Sequence, residues 1–282
     1  MQIHLDCLPC FLQQALRASR MVSDDPLLHK KILKEAMKVA NNFENYRSSP
    51  EVGREIHKLV KEYTGLFDPY KKVKEEAIKV AKSLYSDLKR FLYKKEERLY
   101  WALKISAVGN SMDAAVYDKF DIKNRLFHEL EKEFAIKDIS ELIEKCRKAR
   151  KILIIGDNAG ETVFDRVLIE ELWQLDIVYA VRSKPIINDV TMDEAIASGL
   201  DYGTQIISTG CDAPGVIIEE CSKEFLDIYA QAEVVISKGQ GNFETLSEEK
   251  REIFFLLKAK CPVVARAIGV NIEDYVCFRN NK

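Results

Sequence analysis

The sequence predicts an α/β protein in which a helical N-terminal half precedes a mainly parallel sheet with helices on both faces. Two observations indicate this fold. Only three of the twelve glycines lie in residues 1–150, and long helices exclude glycine whereas tight strand-to-helix turns require it. In residues 151–282, short β-branched runs alternate with helical patterns, as in parallel sheets. We therefore expect a helical domain over residues 1–148 and an α/β domain over residues 149–282.

Three amphipathic helices are predicted in the first half, because apolar residues recur there at spacings of three and four. Pro26, Pro50 and Pro69 lie between these segments or at their starts, where proline is tolerated. The apolar stripes comprise Leu28, Ile32, Leu33, Ala36, Met37 and Ala40; Val52, Ile56, Leu59, Val60 and Tyr63; and Val73, Ala77, Val80, Ala81, Leu84, Leu88 and Phe91.

A further segment, Leu99–Tyr117, carries only Lys104 and Asp113 as charged residues. Such a composition predicts a helix that is buried on most sides.

The second half is predicted to alternate strands with helices. Near-continuous apolar strands indicate a sheet covered on both faces, and ligands bind such sheets beyond the carboxyl ends of the strands. The expected strands are Lys151–Gly156, Asp176–Val181, Gln205–Thr209, Glu233–Lys238 and Cys261–Gly269, and the expected helices are Glu161–Leu175, Met192–Ser198, Val216–Tyr229 and Thr245–Ala259.

Composition and charge exclude several classes of protein. The net charge of −2, from 43 basic and 45 acidic side chains, argues against broad electrostatic binding of nucleic acid or of an acidic membrane. No apolar run reaches the roughly 18–20 residues of a membrane span. The N-terminus has no basic segment before an apolar stretch, so it is not a secretory signal. The seven cysteines, an odd number in a long chain, favour reduced thiols in a cytoplasm.

The strongest motif is Gly156–Glu161 (GDNAGE), which follows an apolar strand and precedes a helix. Asp157 and Asn158 offer two hard oxygen ligands there, and the helix N-terminus behind them favours an anion. A divalent cation on these oxygens would bridge to a phosphate. The alternative is that they only cap the helix.

The ends of two other predicted strands carry comparable groups. Lys184 and Asp189 follow the second strand, where Asp189 is a candidate third metal ligand and Lys184 a candidate phosphate contact. Helix capping by Asn188 or Asp189 is the alternative. Lys238 ends the fourth strand before a glycine-containing turn, a position suited to phosphate binding.

The helical half contributes two further features. Asn110 and Asp113 are three residues apart and share a helix face, where they line a cleft or form a buried hydrogen-bonded pair. Cys7 and Cys10 form a CxxC pair without the other ligands of a zinc site nearby, so buried thiols at a helix start are favoured. Neither a P-loop nor a complete dinucleotide-binding glycine motif is present, which disfavours a nucleotide-dependent oxidoreductase.

With GDNAGE, KPIIND, the Asp212–Gly215 turn, KGQGNFETL and GNSMD, the chain resembles the metal-dependent damage-control phosphatases over nearly its whole length. It is similar to their short prokaryotic branch, which also starts with a CxxC. The resemblance implies a helical domain packed on a Rossmann-like α/β/α sandwich. It also implies hydrolysis of small phosphometabolites, including sugar phosphates, with cobalt, nickel, manganese or magnesium.

Residue by residue, the resemblance places the metal on Asp157, Asn158 and Asp189. It places substrate contacts on Asn110, Asp113, Glu161 and the turn from Lys238 to Asn242. The Arg-Thr-x-Lys motif of eukaryotic members is reduced to at most Arg266 here, so their substrate preference does not transfer.

We expect Asp157 and Lys238 to act in catalysis, with Lys238 and the N–H groups around Ala159–Glu161 stabilising the transferred phosphoryl group. Glu161 or Asp113 would orient the attacking water. The expected partner is a small phosphorylated metabolite, and a homo-oligomer is possible. The alternative is a protein that binds a metal and a phosphometabolite without turnover.

Overall fold

The computed structural model describes residues 1–110 and 119–280. The first half is helical as predicted, and each predicted amphipathic stripe lies on one helix. Pro26 and Pro50 occupy the first turns of their helices, where no backbone N–H is needed. The helices are α1 (Cys7–Val22), α2 (Pro26–Asn41), α3 (Ser49–Thr64), α4 (Lys71–Tyr93), α5 (Arg98–Gly109) and α6 (Lys119–Glu131).

The second half alternates strands and helices, preceded by one strand and one helix that lie before residue 149. These two elements are β1 (Phe134–Lys137) and α7 (Ile139–Lys148). The others are β2 (Lys151–Ile155), α8 (Thr162–Glu171), β3 (Asp176–Val181), α9 (Met192–Ala197), β4 (Gln205–Ser208), α10 (Lys223–Gln231), β5 (Val234–Lys238), α11 (Gly239–Leu246), β6 (Phe254–Lys258), α12 (Pro262–Ile268) and β7 (Tyr275–Arg279). The domain boundary between residues 148 and 149 stays a prediction. Strand β1 lies before that boundary and nevertheless belongs to the sheet.

The seven strands form one sheet in the order β1-β7-β6-β5-β2-β3-β4. All neighbouring pairs are parallel except β6 and β7. From β2 the chain proceeds outward through β3 and β4, and it then returns to the other side of β2 with β5. A crevice therefore opens beyond the carboxyl ends of β2 and β5, where ligands bind in open α/β sheets.

Alternate residues of the central strand β2 face the two layers that cover the sheet. Ile152 and Ile154 belong to a core that includes α4, α5 and α8, whereas Leu153 and Ile155 face a second core with α10 and α11. On the first face α5 crosses α8 closely, because a Cβ on Gly109 would lie 2.8 Å from Phe164. This contact places the end of α5 against the crevice.

Two elements near the C-terminus differ from the prediction. Cys261–Gly269, predicted as a strand, contains helix α12, in which Pro262 begins the helix and Gly269 ends it in the left-handed region. Thr245–Ala259, predicted as a helix, contains strand β6, whose five residues are all buried between β5 and β7. Pairing and burial outweigh the local pattern here. The antiparallel strand β7 was not predicted.

Leu99–Tyr117 is helical and buried from Ala102 to Gly109, as predicted, and its remainder includes residues outside the described ones. None of the helices in the described parts of the chain combines the length and apolarity of a transmembrane segment.

Candidate active site

The loops that follow β2 and β3 are joined by backbone hydrogen bonds. Ala159 N–H donates to the Asn188 carbonyl at 2.8 Å, and Val190 N–H donates to the Asp157 carbonyl at 2.8 Å. Asn158 and Asp189 therefore lie opposite each other as an isolated antiparallel bridge. The three residues that sequence reasoning named as metal ligands are thus neighbours at the crevice.

Asn110 at the end of α5 links two of the acidic side chains. Its Nδ2 donates to Asp157 Oδ2 at 2.8 Å and to Glu161 Oε2 at 2.9 Å. Asn158 Nδ2 also donates to Asp157 Oδ2, at 3.0 Å. Burial, together with the nearby charges of Asp189 and Glu161, raises the pKa of Asp157 to about 7. The site therefore concentrates more negative charge than its hydrogen bonds neutralise.

Asp189 is held by a buried arginine. Arg182 Nε donates to Asp189 Oδ2 at 2.8 Å, and Arg182 Nη2 donates to Asn242 Oδ1 at 2.9 Å. Asn242 Nδ2 in turn donates to the carbonyls of Gly156 and Lys238. Burial raises the pKa of Asp189 although Arg182 opposes this effect. Asn242, predicted to contact substrate, is fully buried and supports the loops instead of lining the two cavities that border the site.

Lys238 is fully buried within a network of charged and polar groups. Its ammonium donates to Glu161 Oε1, to Asp165 Oδ1 at 2.6 Å and to the Ser106 carbonyl at 3.1 Å. Tyr179 and Ser106 hydroxyls also donate to Asp165. Burial alone would lower the pKa of Lys238, but Asp165 and Glu161 raise it above its usual value. All three N–H donors of Lys238 therefore have acceptors without a substrate.

Two cavities meet at Asn158. One, of about 210 Å³, lies between α1, α3 and the loops, and Asp157 and Asp189 line it. The other, of about 310 Å³, is bordered by Asn110 and Glu161. Asn158, Asn188 and Lys260 line both.

Lys260 is exposed, its Nζ donates to the Asn110 carbonyl at 2.5 Å, and its charge opposes the rise in the pKa of Asp157. Sequence reasoning missed Lys260 because it falls between the predicted helix Thr245–Ala259 and the predicted strand Cys261–Gly269, at the start of that strand and not at its carboxyl end. A lysine just beyond an apolar run was the signal that could have found it.

Two predicted contacts are not brought into this cluster, and a third cannot be placed because it is not among the described residues. Lys184 is exposed, lies 3.6 Å from Asp212 and lines a different cavity. Asp113 lies outside the described residues. The N–H groups of Ala159 and Glu161 donate to the carbonyls of Asn188 and Asn158. They therefore already have acceptors within the loops.

The donors at the crevice fit a hard divalent cation in their chemistry. In residues 1–110 and 119–280, no three His, Cys, Asp or Glu side chains are grouped to hold a metal. The set here is two carboxylates, Asp157 and Asp189, with the amide of Asn158, and oxygen donors suit magnesium and manganese. The raised pKa of Asp157 indicates negative charge that a cation would offset. A half-turn of the Asn158 amide would present its oxygen.

Comparisons with known proteins identify the family of this chain. The damage-control phosphatase ARMT1-like domain is recognised over residues 3–276. A Pyrococcus horikoshii protein named damage-control phosphatase is 35% identical over 286 residues, covering 99% of each chain. An Archaeoglobus fulgidus protein of the same name is 31% identical over 287 residues, covering 98% of each chain.

A solved structure has the same fold. The crystal structure of a DUF89 family protein from Pyrococcus horikoshii superposes with a TM-score of 0.93 at 33% identity, and each chain is covered completely. The match extends over the helical half as well as the sheet. The chain therefore belongs to the ARMT1-like damage-control phosphatase family.

Proposed function

We propose that this protein is a divalent-metal-dependent phosphatase that hydrolyses small phosphometabolites such as sugar phosphates. Its relatives named damage-control phosphatases support a hydrolase acting in metabolite repair. The observation that carries the proposal is the convergence of Asp157, Asn158 and Asp189 at a crevice between two cavities. Cavities of this size suit a small metabolite.

Asp157, Asn158 and Asp189 would hold the metal. A bound dication such as cobalt, nickel, manganese or magnesium would supply charge stabilisation for a phosphoryl oxygen. Arg182 and Asn242 keep Asp189 in position through their hydrogen bonds. Asn110 keeps Asp157 and Glu161 at a fixed separation, since one amide nitrogen donates to both.

The remaining roles divide between two lysines and a glutamate. Lys260 is the exposed cation that lines both cavities, so we assign it the contact with the phosphoryl group. Lys238 donates hydrogen bonds to Glu161 and Asp165 and so keeps Glu161 in place. The predicted contact between Lys238 and phosphate would require Lys238 to give up one of its present hydrogen bonds. Glu161 borders the 310 Å³ cavity and would orient the attacking water.

The test is phosphate release from a panel of sugar phosphates with cobalt, nickel, manganese or magnesium added in turn. Asp157→Ala should lower the rate at least about a hundredfold, because a ligand to the metal is lost. Asp24→Asn, which changes an exposed acid outside the site, is the matched control. A folded Asp157→Ala variant with the full rate would refute the assignment. Thermal stabilisation by the same esters without phosphate release would identify a binding protein instead.

A further inference from the structure

Glu244 is a buried carboxyl group that the mechanism above leaves without a role. It lies on α11, which begins directly after β5 at the crevice, and its side chain lines the 210 Å³ cavity together with Asp157 and Asn158. Only 8% of the residue is exposed. Groups that face each other across so small a cavity can contact the same bound molecule.

The surroundings of Glu244 contain little that would neutralise its charge. The Ser49 hydroxyl on α3, which donates to Cys7 Sγ at 3.6 Å, and the N-terminal ammonium of Met1 both favour the charged form of the carboxyl. That ammonium donates to the Glu244 carbonyl at 2.8 Å and also lies 3.7 Å from Glu248. Cys261 at the start of α12 also interacts with Glu244, and the charged groups that line the same cavity are Asp157, Asp189 and Lys260.

Burial therefore dominates and raises the pKa of Glu244 to about 7. Asp157 in the same cavity has hydrogen bonds to two asparagines and faces Lys260. A buried carboxyl that lines the same cavity as the groups that would hold a metal is placed to give a proton to a bound molecule.

We propose that Glu244 is the general acid that protonates the leaving-group oxygen of the phosphate ester. This role rests on the proposed phosphatase function and extends it to leaving groups that need a proton, namely sugar and polyol alcohols. As water attacks phosphorus and forms the new P–O bond, the electron pair of the breaking P–O bond passes to the ester oxygen. That oxygen takes the proton of the Glu244 carboxyl, both protons of the attacking water stay with the released phosphate, and solvent reprotonates Glu244.

The cavity has the composition that such a leaving group needs. Besides Glu244, its walls carry the neutral polar side chains of Gln14, Ser49 and Gln240, which can hydrogen bond to hydroxyl groups. Its volume of about 210 Å³ admits a compact sugar or polyol and is smaller than the usual site for a drug-sized ligand. The leaving group would occupy this cavity while the phosphoryl group lies at Asp157 and Lys260.

The experiment compares two esters that differ in their need for an acid. A hexose 6-phosphate leaves as an alkoxide unless it is protonated, whereas p-nitrophenyl phosphate leaves as a stable phenolate. With metal present, Glu244→Gln should lower kcat on the hexose phosphate at least about a hundredfold and leave p-nitrophenyl phosphate within about threefold. Glu248→Gln, an exposed acid two residues beyond α11, is the matched control.

The pH profile supplies a second readout. Wild-type activity on the hexose phosphate should fall as pH rises through the pKa of Glu244. Ser49→Ala should move that fall to higher pH, because it removes a hydroxyl that lowers the pKa of Glu244. Equal losses on both esters in Glu244→Gln, or no loss on either, would overturn the role as an acid. A wild-type protein that cleaves neither ester would contradict the phosphatase function itself.

Discussion

Lys238 and Lys260 lie beside the site, and their surroundings differ at the scale of the single residue. Lys238 is fully buried between Glu161 and Asp165, whereas Lys260 is exposed with one hydrogen bond to a carbonyl. Removing a buried cation leaves two carboxylates unpaired, which costs far more stability than removing an exposed one. The two substitutions should therefore separate a structural role from a role in binding phosphate.

Lys238→Met should lower the free energy of unfolding by about 3–5 kcal/mol. Lys260→Met should change it by less than about 0.5 kcal/mol but reduce phosphatase activity about a hundredfold. Urea denaturation and phosphate release on both variants make the comparison. If Lys260→Met kept full activity, the phosphoryl contact assigned to it would be wrong.

The buried carboxyl of Glu244 makes stability depend on pH. Its pKa of about 7 in the folded protein lies above the ordinary value of 4.5, so the folded state keeps a proton that the unfolded state loses between these values. The resulting stabilisation is present below pH 4.5, declines as pH rises toward 7 and is absent above. Glu244→Gln cannot lose this proton and should gain about 2–3 kcal/mol relative to wild type between pH 4.5 and pH 8.

Urea denaturation with a chelator at these two pH values measures the change. Groups other than Glu244 titrate in both proteins, so their contributions cancel in the difference. A difference that stayed constant between the two pH values would show that Glu244 titrates normally in the folded protein.

Residues at strand ends were the part of the site that the sequence could predict. Asp157, Asn158 and Asp189 follow apolar strands, and parallel strands place their carboxyl ends at one edge. The partners of Lys238 were not predictable in this way, because Ser106 and Asp165 are brought to it by the packing of α5 against α8. The local signal in the sequence was the spacing of four residues between Glu161 and Asp165, which places both carboxylates on one face of a helix.

At the scale of the element, the start of α11 is set by one glycine. Gly239 has φ +75°, and a Cβ there would collide with Asp157 Oδ2. Gly65 at the end of α3 has φ +70° and open space around it. The two positions share the same backbone strain and differ only in what a methyl group would meet.

Gly65→Ala should cost about 1 kcal/mol of stability through backbone strain alone. Gly239→Ala should cost at least about 1–3 kcal/mol more, because the added methyl also displaces Asp157, and it should abolish phosphatase activity. Denaturation midpoints and phosphate release of the two variants test this. Equal stability and activity would contradict the close approach of α11 to Asp157.

The elements that the sequence misassigned show why pattern alone was insufficient. Phe254–Lys258 is apolar over five positions and can serve as a buried strand or as part of a buried helix. Its pairing with β5 and β7 decides the matter, and those contacts are distant in sequence. For α12, by contrast, the Cys261–Pro262 start and the Gly269 end were helix signals that the β-branched valines obscured.

At the scale of the whole molecule, the cores do not divide at residue 148. One continuous core joins α4 and α5 to β2, β5, β6 and α8. Helices α1–α3 have small cores of their own, and many of their links to the rest are ion pairs with exposed partners. Such pairs contribute about 0–1 kcal/mol each.

The α1–α3 bundle should therefore open more readily than the rest of the protein, while α5 should open together with β2. Hydrogen exchange followed by mass spectrometry measures this directly: amides of α1–α3 should exchange through a partial opening, and those of α5 only through global unfolding.

Because Gln14 and Ser49 belong to this bundle and line the 210 Å³ cavity, the same opening would admit the substrate and remove Ser49 from Glu244. A bound metabolite that bridges the cavity should slow exchange in α1 and α3 more than in α5. If the amides of α5 exchanged together with those of α1–α3, the cooperatively unfolding units would instead divide near residue 148.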